Sequence, residues 1–246
     1  MGDASEPIVL DEHTYGPLVL DEMIKILSLL ENPPEMKMIR RALRYYEVPE
    51  YLTEFKWGSS EKIMPVLRHY ALPQSKEELA WAMKHLEGKE TLLTVGGSFG
   101  GTLTKMASVM NKGCQLVVVD LPCDDTPKFL NPVDSLKENC RKLMILGANV
   151  ELFIGDSHSK QVIDQVSNFA PYDFGFIDGD HTYEGVKADW ENYGPMCKVV
   201  GFHDIGGAVE GVKRFWDELK AKGEFKTDEF VADENPKFGI GLVFRE

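Results

Sequence analysis

From Pro73 onward, short and uninterrupted apolar runs alternate with amphipathic segments, and this alternation limits the chain to a narrow set of folds. The spacing predicts strands at 92–96, 115–120, 150–154, 174–178 and 199–203. Helices are predicted between them at 102–110, 134–146, 160–169, 183–193 and 209–220. Ser75-Lys76-Glu77-Glu78 reads as a capping box that opens one more helix, running to about Leu86 and ended by Gly88. Strands that are apolar at every position fit a parallel sheet covered by helices on both faces. The last two runs, 229–232 and 238–244, have only Asp233 to Lys237 between them, so they should pair antiparallel. The expected architecture is therefore α/β: a doubly wound, mostly parallel sheet with a C-terminal antiparallel hairpin.

Residues 1–73 read differently. Leu20, Met23, Ile24, Leu27 and Leu30 recur at helical spacing before Pro33-Pro34, and a second helix is predicted from Met36 to Tyr46 with Arg40, Arg41 and Arg44 on its polar side. Tyr45, Tyr46, Tyr51, Phe55 and Trp57 then cover the core of the main domain or, on a sharper reading, cap an active site. We divide the chain into an N-terminal helical extension, 1–73, and a main domain, 74–246.

Composition removes several classes of function. With 43% hydrophobic and 27% charged residues the 246-residue chain is globular. Its 27 Lys and Arg against 40 Asp and Glu leave a net charge of −13, which disfavours a general nucleic-acid binder. No run reaches the ~18 apolar residues of a membrane span. The N-terminus lacks a basic, apolar leader, and Glu6 stands where a myristoylation site needs Ser or Thr. Cys114, Cys123, Cys140 and Cys197 form no CxxC pair, as expected of free thiols in a reducing compartment. The expectation is a soluble, cytoplasmic protein.

Candidate chemistry gathers at the predicted strand ends, where open α/β sheets bind ligands. The first strand runs into Gly96-Gly97-Ser98-Phe99-Gly100-Gly101-Thr102. Ser98 stands where a dinucleotide fingerprint needs its second glycine, and the Gly96-x-x-x-Gly100 spacing suits a nucleoside without a pyrophosphate. Asp120, twenty residues beyond Gly100, could accept hydrogen bonds from a ribose, or it could be a helix cap or a loop charge. Asp156 could accept from an adenine amino group with Ser157 beside it, or could N-cap the next helix. The fourth end carries Asp178, Asp180 and His181, and the fifth His203 and Asp204. Asp178 and Asp204, with His203, could hold a hard divalent ion, which the imidazole would tilt toward Mn²⁺ or Fe²⁺. His181 could act as a general base near neutral pH. Capping could account for two of these five residues but hardly for all.

The run Phe176-Ile177-Asp178-Gly179-Asp180-His181-x-Tyr183-Glu184-Gly185-Val186, with Gly201-Phe202-His203-Asp204-Ile205 downstream, resembles the class I S-adenosylmethionine-dependent methyltransferases. More narrowly, it is similar to methyltransferase family 24, which is related to catechol and macrolide-sugar O-methyltransferases and to cephalosporin hydroxylase-like proteins. The resemblance spans roughly 75–246 and implies a Rossmann-like fold. It implies that Gly96, Ser98, Gly100 and Thr102 hold the methionine part of the cofactor, that Asp120 takes the ribose, and that Asp156 and Ser157 take the adenine edge. Asp178 then belongs to the cofactor pocket, to catalysis and, with His203 and Asp204, to a Mg²⁺ or other divalent site. His181, three residues after Asp178, matches the catalytic base. Thr94 departs from the pattern, since many relatives carry Glu there, and His203 replaces an acid.

The expected activity is methylation of a small hydroxylated acceptor, a sugar, polyol or phenol, with homo-oligomerisation left open. The alternatives are a metal-dependent hydrolase or oxygenase using the same crevice, and a non-catalytic nucleoside-binding regulatory domain. A nucleic-acid methyltransferase ranks lower, because the amine-methylation motif Asn/Asp-Pro-Pro-aromatic is missing.

Overall fold

The computed structural model describes residues 74, 76–122, 132–232, 236 and 238–245. The N-terminal helices expected before Pro73, the aromatic stretch, Ser75 of the capping box and Cys123 all lie outside the described residues.

Helix α1 (Lys76–Met83) leads into β1 (Thr91–Val95), α2 (Gly101–Ala107), β2 (Gln115–Asp120), α3 (Pro132–Ile145) and β3 (Asn149–Ile154). Then come α4 (Lys160–Ser167), β4 (Tyr172–Ile177), α5 (Tyr183–Tyr193), a 3₁₀ turn (Gly194–Met196), β5 (Cys197–His203), α6 (Glu210–Lys222), β6 (Lys226–Phe230) and β7 (Ile240–Phe244). The expected strands and helices form in their expected order, with shifted ends. The sixth strand moves most: it starts at Lys226 and stops at Phe230, so Val231 and Ala232 fall in the connection. The alternating charges of Lys226, Asp228 and Glu229 hid its start, because an edge strand has little to bury.

The seven strands form one sheet in the order β3-β2-β1-β4-β5-β7-β6. β1 pairs in parallel with both β2 and β4, while β7 pairs antiparallel with both β5 and β6, so β7 inserts between them. Strand-by-strand alternation explains the continuous apolar runs. Leu92, Leu116, Val118, Phe174 and Phe176 join a cluster with Leu79, Leu103 and Leu136 on one face. Leu93, Val95, Val117, Val119 and Ile177 join Val186, Phe215 and Trp216 on the other. The central strands are buried on both faces, so a polar side chain there is costly unless it is hydrogen-bonded.

The strand order reverses direction between β1 and β4, each of which starts a run outward. In such sheets the crevice outside the carboxyl ends of the strands at the switch point is the general ligand position.

Candidate functional site

The crevice is built on a close approach of two backbones. Gly96 follows β1 with φ of +88°, and a Cβ there would sit 2.2 Å from the carbonyl oxygen of Asp178. Only glycine fits, because the space and the left-handed backbone both exclude a side chain. The Gly96 N–H donates to Val119 O (2.9 Å) and the Asp178 N–H to Val95 O (2.8 Å), so the turn and the acid are locked together. Among the described residues the non-glycine positions with positive φ are Ser98 (+47°) and Asp204 (+65°), both at this crevice. Such conformations cost free energy and persist where surrounding structure imposes them.

Asp120, at the tip of β2, holds the turn. One of its oxygens accepts from the Ser98 N–H (2.5 Å) and the other from the Leu121 N–H (2.7 Å). Burial pushes its carboxyl above the ordinary range, against the pull of these donors, and the Asp178 charge adds to the rise. A carboxylate has about four acceptor sites, so the two bonds leave room for ligand hydroxyls. Gly100 (φ +84°) starts α2 without a side-chain cap, and Thr102 follows in its first turn.

Asp156 does not cap α4: the cap is Ser159, whose side chain accepts from the Val162 N–H. Asp156 instead accepts from the His158 N–H (2.9 Å) and keeps an exposed side chain. Ser157 turns inward and donates to Asp189 of α5 at 2.9 Å. Asp189 is fully buried, His158 Nε2 lies 3.1 Å from it, and burial raises its carboxyl above the ordinary range. One helical turn on, the Tyr193 hydroxyl donates to the Ser157 carbonyl at 2.6 Å. The i, i+4 pair Asp189 and Tyr193 therefore clamps the β3 loop onto α5. Sequence reasoning missed this pair, although an acid and a tyrosine four apart on a mostly polar helix were the available signal.

Past β4, Asp180 is structural: it accepts from the Thr182 N–H (2.8 Å), and Thr182 N-caps α5 by accepting from Gly185 N–H (3.0 Å). The loop is pinned from below, since a Cβ on Gly211 would meet the His181 carbonyl oxygen at 2.5 Å. This turn presents His181 toward the acids.

Asp178 is the hub. Its Oδ1 lies 3.2 Å from His181 Nε2 and 3.2 Å from His203 Nδ1, and its Oδ2 accepts from Gln74 Nε2 at 2.9 Å. Asp204 lies 3.5 Å from His181 Nε2 and 3.3 Å from His203 Nδ1. Asp178, His181 and Asp204 offer ligand atoms that all lie within 4.8 Å of one another, and His203, the histidine expected with the two acids, reaches both of them through Nδ1 at 3.2 and 3.3 Å. His203 is 3% exposed and sits behind the two acids, stacked on Phe238, with Nε2 3.9 Å from Glu78 Oε2.

The charges are mutually dependent. Burial opposes the ionised form of Asp178, but His203 and His181 outweigh it and hold its carboxyl below the ordinary range. The hydrogen bond to Asp178 leads the effects that raise the His181 pKa. Burial lowers that of His203, and Asp178, Asp204 and Glu78 more than reverse it, so its net shift is upward.

Gln74, Glu78, Asp189 and Asn139, whose amide donates to the Phe99 carbonyl of the glycine turn (2.8 Å), are buried polar residues that the sequence did not single out for this site. Thr94, the departure from the family pattern, is 2% exposed and its hydroxyl has no hydrogen-bond partner.

A family model described as a methyltransferase domain, family 24, matches residues 93–205. No curated protein matches the sequence. Among solved structures, the chain is similar to an O-methyltransferase from Bacillus cereus in complex with SAH, at 12% identity and a TM-score of 0.51, over 97% of this chain and 98% of that one. It is similar to the O-methyltransferase TomG from Streptomyces achromogenes, involved in tomaymycin synthesis and solved with SAM, at 13% identity and a TM-score of 0.51, over 97% and 100%. A cofactor-bound protein from MTB aligns at 14% identity and a TM-score of 0.53, over 75% and 87%. At such identities these likenesses establish the Rossmann-like fold.

Proposed function

We propose that this chain, whose residues 93–205 match a family-24 methyltransferase-domain model, is a class I methyltransferase that moves the sulfonium methyl of S-adenosylmethionine onto the hydroxyl of a small sugar, polyol or phenol. The carrying observation is the juxtaposition at the switch point of the Gly96 turn with the cluster of Asp178, His181, His203 and Asp204. SAH and SAM in similarly folded O-methyltransferases support the choice of cofactor.

In this proposal the cofactor lies along Gly96, Ser98, Gly100 and Thr102, with its ribose on Asp120 and its adenine edge against Asp156 and Ser157. The acceptor hydroxyl meets Asp178 and Asp204, and His181 takes its proton as the methyl transfers in line. Most of the rate comes from placing the two reactants together. The deep, twice-held Asp178 is suited to orienting a hydroxyl, while His181, whose side chain is 45% exposed, faces the space an acceptor would enter. A small neutral acceptor suits a chain of net charge −13 better than a polyanion does. A cytoplasmic setting accords with the buried free thiols of Cys114, Cys140 and Cys197, and among the described residues no helix is long and apolar enough to cross a membrane.

A divalent cation fits the donor set: two carboxylates and an imidazole within 4.8 Å suit Mg²⁺ or Mn²⁺. Asp178, Asp204 and His181 would hold it, and it would supply Lewis acidity to the acceptor oxygen. His181 Nε2 cannot ligate a cation and accept a proton at once, so the metal-assisted and the metal-free forms exclude each other at that atom.

The test is transfer of isotopically labelled methyl from S-adenosylmethionine to a panel of sugars, polyols and phenols, with and without exhaustive chelation. Labelled product that survives chelation assigns His181 as base. Product lost on chelation and restored by Mg²⁺ or Mn²⁺ assigns it as ligand. No labelled product from any hydroxylated acceptor, with label found on an amine or thiol acceptor, removes O-methylation.

A further inference from the structure

The two buried polar residues on and just before α1 converge on Asp178 from outside the span of the family model, which begins at residue 93. Gln74 is 2% exposed. Its Nε2 donates to Asp178 Oδ2 (2.9 Å), and its Oε1 accepts from the Thr102 hydroxyl (2.5 Å). One neutral amide thus bridges the glycine-turn helix and the hub carboxylate. Glu78, four residues on and fully buried, sets its Oε2 3.9 Å from His203 Nε2. The other nitrogen of that imidazole lies 3.2 Å from Asp178 Oδ1. Each oxygen of Asp178 is therefore reached from the α1 region, one directly by Gln74 just before the helix and one through His203 by Glu78 on it.

A carboxylate on the end of a strand can rotate about its last side-chain bond, and that rotation would carry its oxygens away from an acceptor. Buried polar groups are retained against their desolvation cost when they are hydrogen-bonded. Helix α1 needs neither residue for its core contacts, which Leu79 and Ala82 supply. Reactive geometry tolerates little error, since a misplacement of about 1 Å costs on the order of 100-fold in rate.

We propose that Gln74 and Glu78 are positioning residues of the methyl-transfer site: Gln74 ties Asp178 to the cofactor turn through Thr102, and Glu78 holds His203 against Asp178. The assignment rests on the proposed function. It adds that the segment before the recognised domain completes the site, and that filling the cofactor turn is felt at Asp178 through one amide. Gln74 acts as a two-ended link, so replacing it disturbs cofactor binding only while Asp178 can respond.

The test is a double-mutant cycle read by calorimetric titration of the full chain with S-adenosylhomocysteine. Gln74→Met keeps the size of the side chain and removes both hydrogen bonds. It should weaken S-adenosylhomocysteine about tenfold in the wild-type background and less than about twofold in an Asp178→Asn background. Glu78→Gln should show the same pattern against His203→Gln, at about threefold. A purely structural role would give equal losses in both backgrounds, and that result overturns the proposal, as does Gln74→Met binding within about twofold of wild type. Gln74→Glu, which can still accept from Thr102 but meets Asp178 with a second carboxylate, should bind more weakly than Gln74→Met; equal or tighter binding would also overturn it. If wild type itself fails to bind, the methyl-donor assignment falls, and this inference with it. If wild type binds and the cycle is additive, only the inference falls.

Discussion

Two aspartates sit at opposite ends of the same strand, and their surroundings differ in kind. Asp173, near the start of β4, accepts from the backbone N–H groups of Glu90 (3.0 Å) and Thr91 (3.2 Å) and from Lys198 Nζ (2.7 Å). Every neighbour of its charge is a donor. Asp178, just past the end of β4, shares two histidines with Asp204, and Glu78 approaches one of them. Its neighbourhood gathers like charges in a buried place and includes Asp204 at φ +65°. The first aspartate closes the amino end of the sheet. The second holds together groups that would be further apart if stability alone decided, which is how strain and like charge mark a site of chemistry.

The contrast is broken most forcefully by His181→Ala. It should cost ~10²–10⁴ in methyl-transfer rate while S-adenosylhomocysteine affinity and melting temperature hold. Turnover within a few-fold of wild type would make His181 structural, and collapse of affinity together with rate would mean a damaged pocket.

Next comes Gly96→Ala, which forces a Cβ against the Asp178 carbonyl in a left-handed backbone. A loss of at least ~1–3 kcal/mol in chemical denaturation is expected, with cofactor affinity lost as well. Full stability in that variant would show that the two strand ends are not locked.

The two aspartates themselves should separate stability from function. Asp173→Ala leaves two backbone donors without their acceptor and should cost ~1–3 kcal/mol with S-adenosylhomocysteine binding intact. Asp178→Asn should abolish transfer and cost a modest amount of stability, because it removes the charge that the two histidines favour. The reverse assignment of effects would dissolve the contrast.

The smallest effect is in pH dependence, and its signs oppose. Burial tends to raise the Asp173 carboxyl, but Lys198 and the backbone donors leave it below its ordinary 3.8, so its stabilisation holds above that value and is lost as pH falls through the depressed one. The pKa of His203 is raised above 6.5, so its contribution is complete below 6.5 and fades as pH climbs through the raised value. Denaturation followed from pH 3 to 9 should therefore show acid loss reduced by Asp173→Asn, with Asp178 carrying part of the remainder, and alkaline loss reduced by His203→Gln, with His181 carrying part of the remainder. A wild-type curve flat on its alkaline side would contradict the charged state of His203.

The sheet was legible because its signals are local. Apolar runs fully buried on both faces read as strands, and β2 and α5 ended where expected. The edge strand β6 blurred, because an exposed edge has no buried face to write into its sequence. The clustering of the candidate residues was legible at the strand ends, since Asp178, His181, His203 and Asp204 come within hydrogen-bonding or ion-pair distance of one another and Asp120 reaches the glycine turn through the Ser98 N–H. What the sequence hid was contact at long range. Gln74 meets Asp178 across 104 residues, and Ser157 meets Asp189 across 32. Glu78 read only as a capping-box acid because Ser-x-x-Glu is a local pattern, whereas its burial beside His203 depends on how α1 packs on β7.

Calorimetric titration with S-adenosylhomocysteine, comparing wild type with Asp120→Ala, addresses the centre of the proposal. One site per chain is expected in wild type, weakened by ~1.5–3 kcal/mol in Asp120→Ala, the worth of hydrogen bonds to a charged group. Absence of binding in wild type would contradict the methyl-donor site, and equal affinity in the variant would remove the ribose from Asp120.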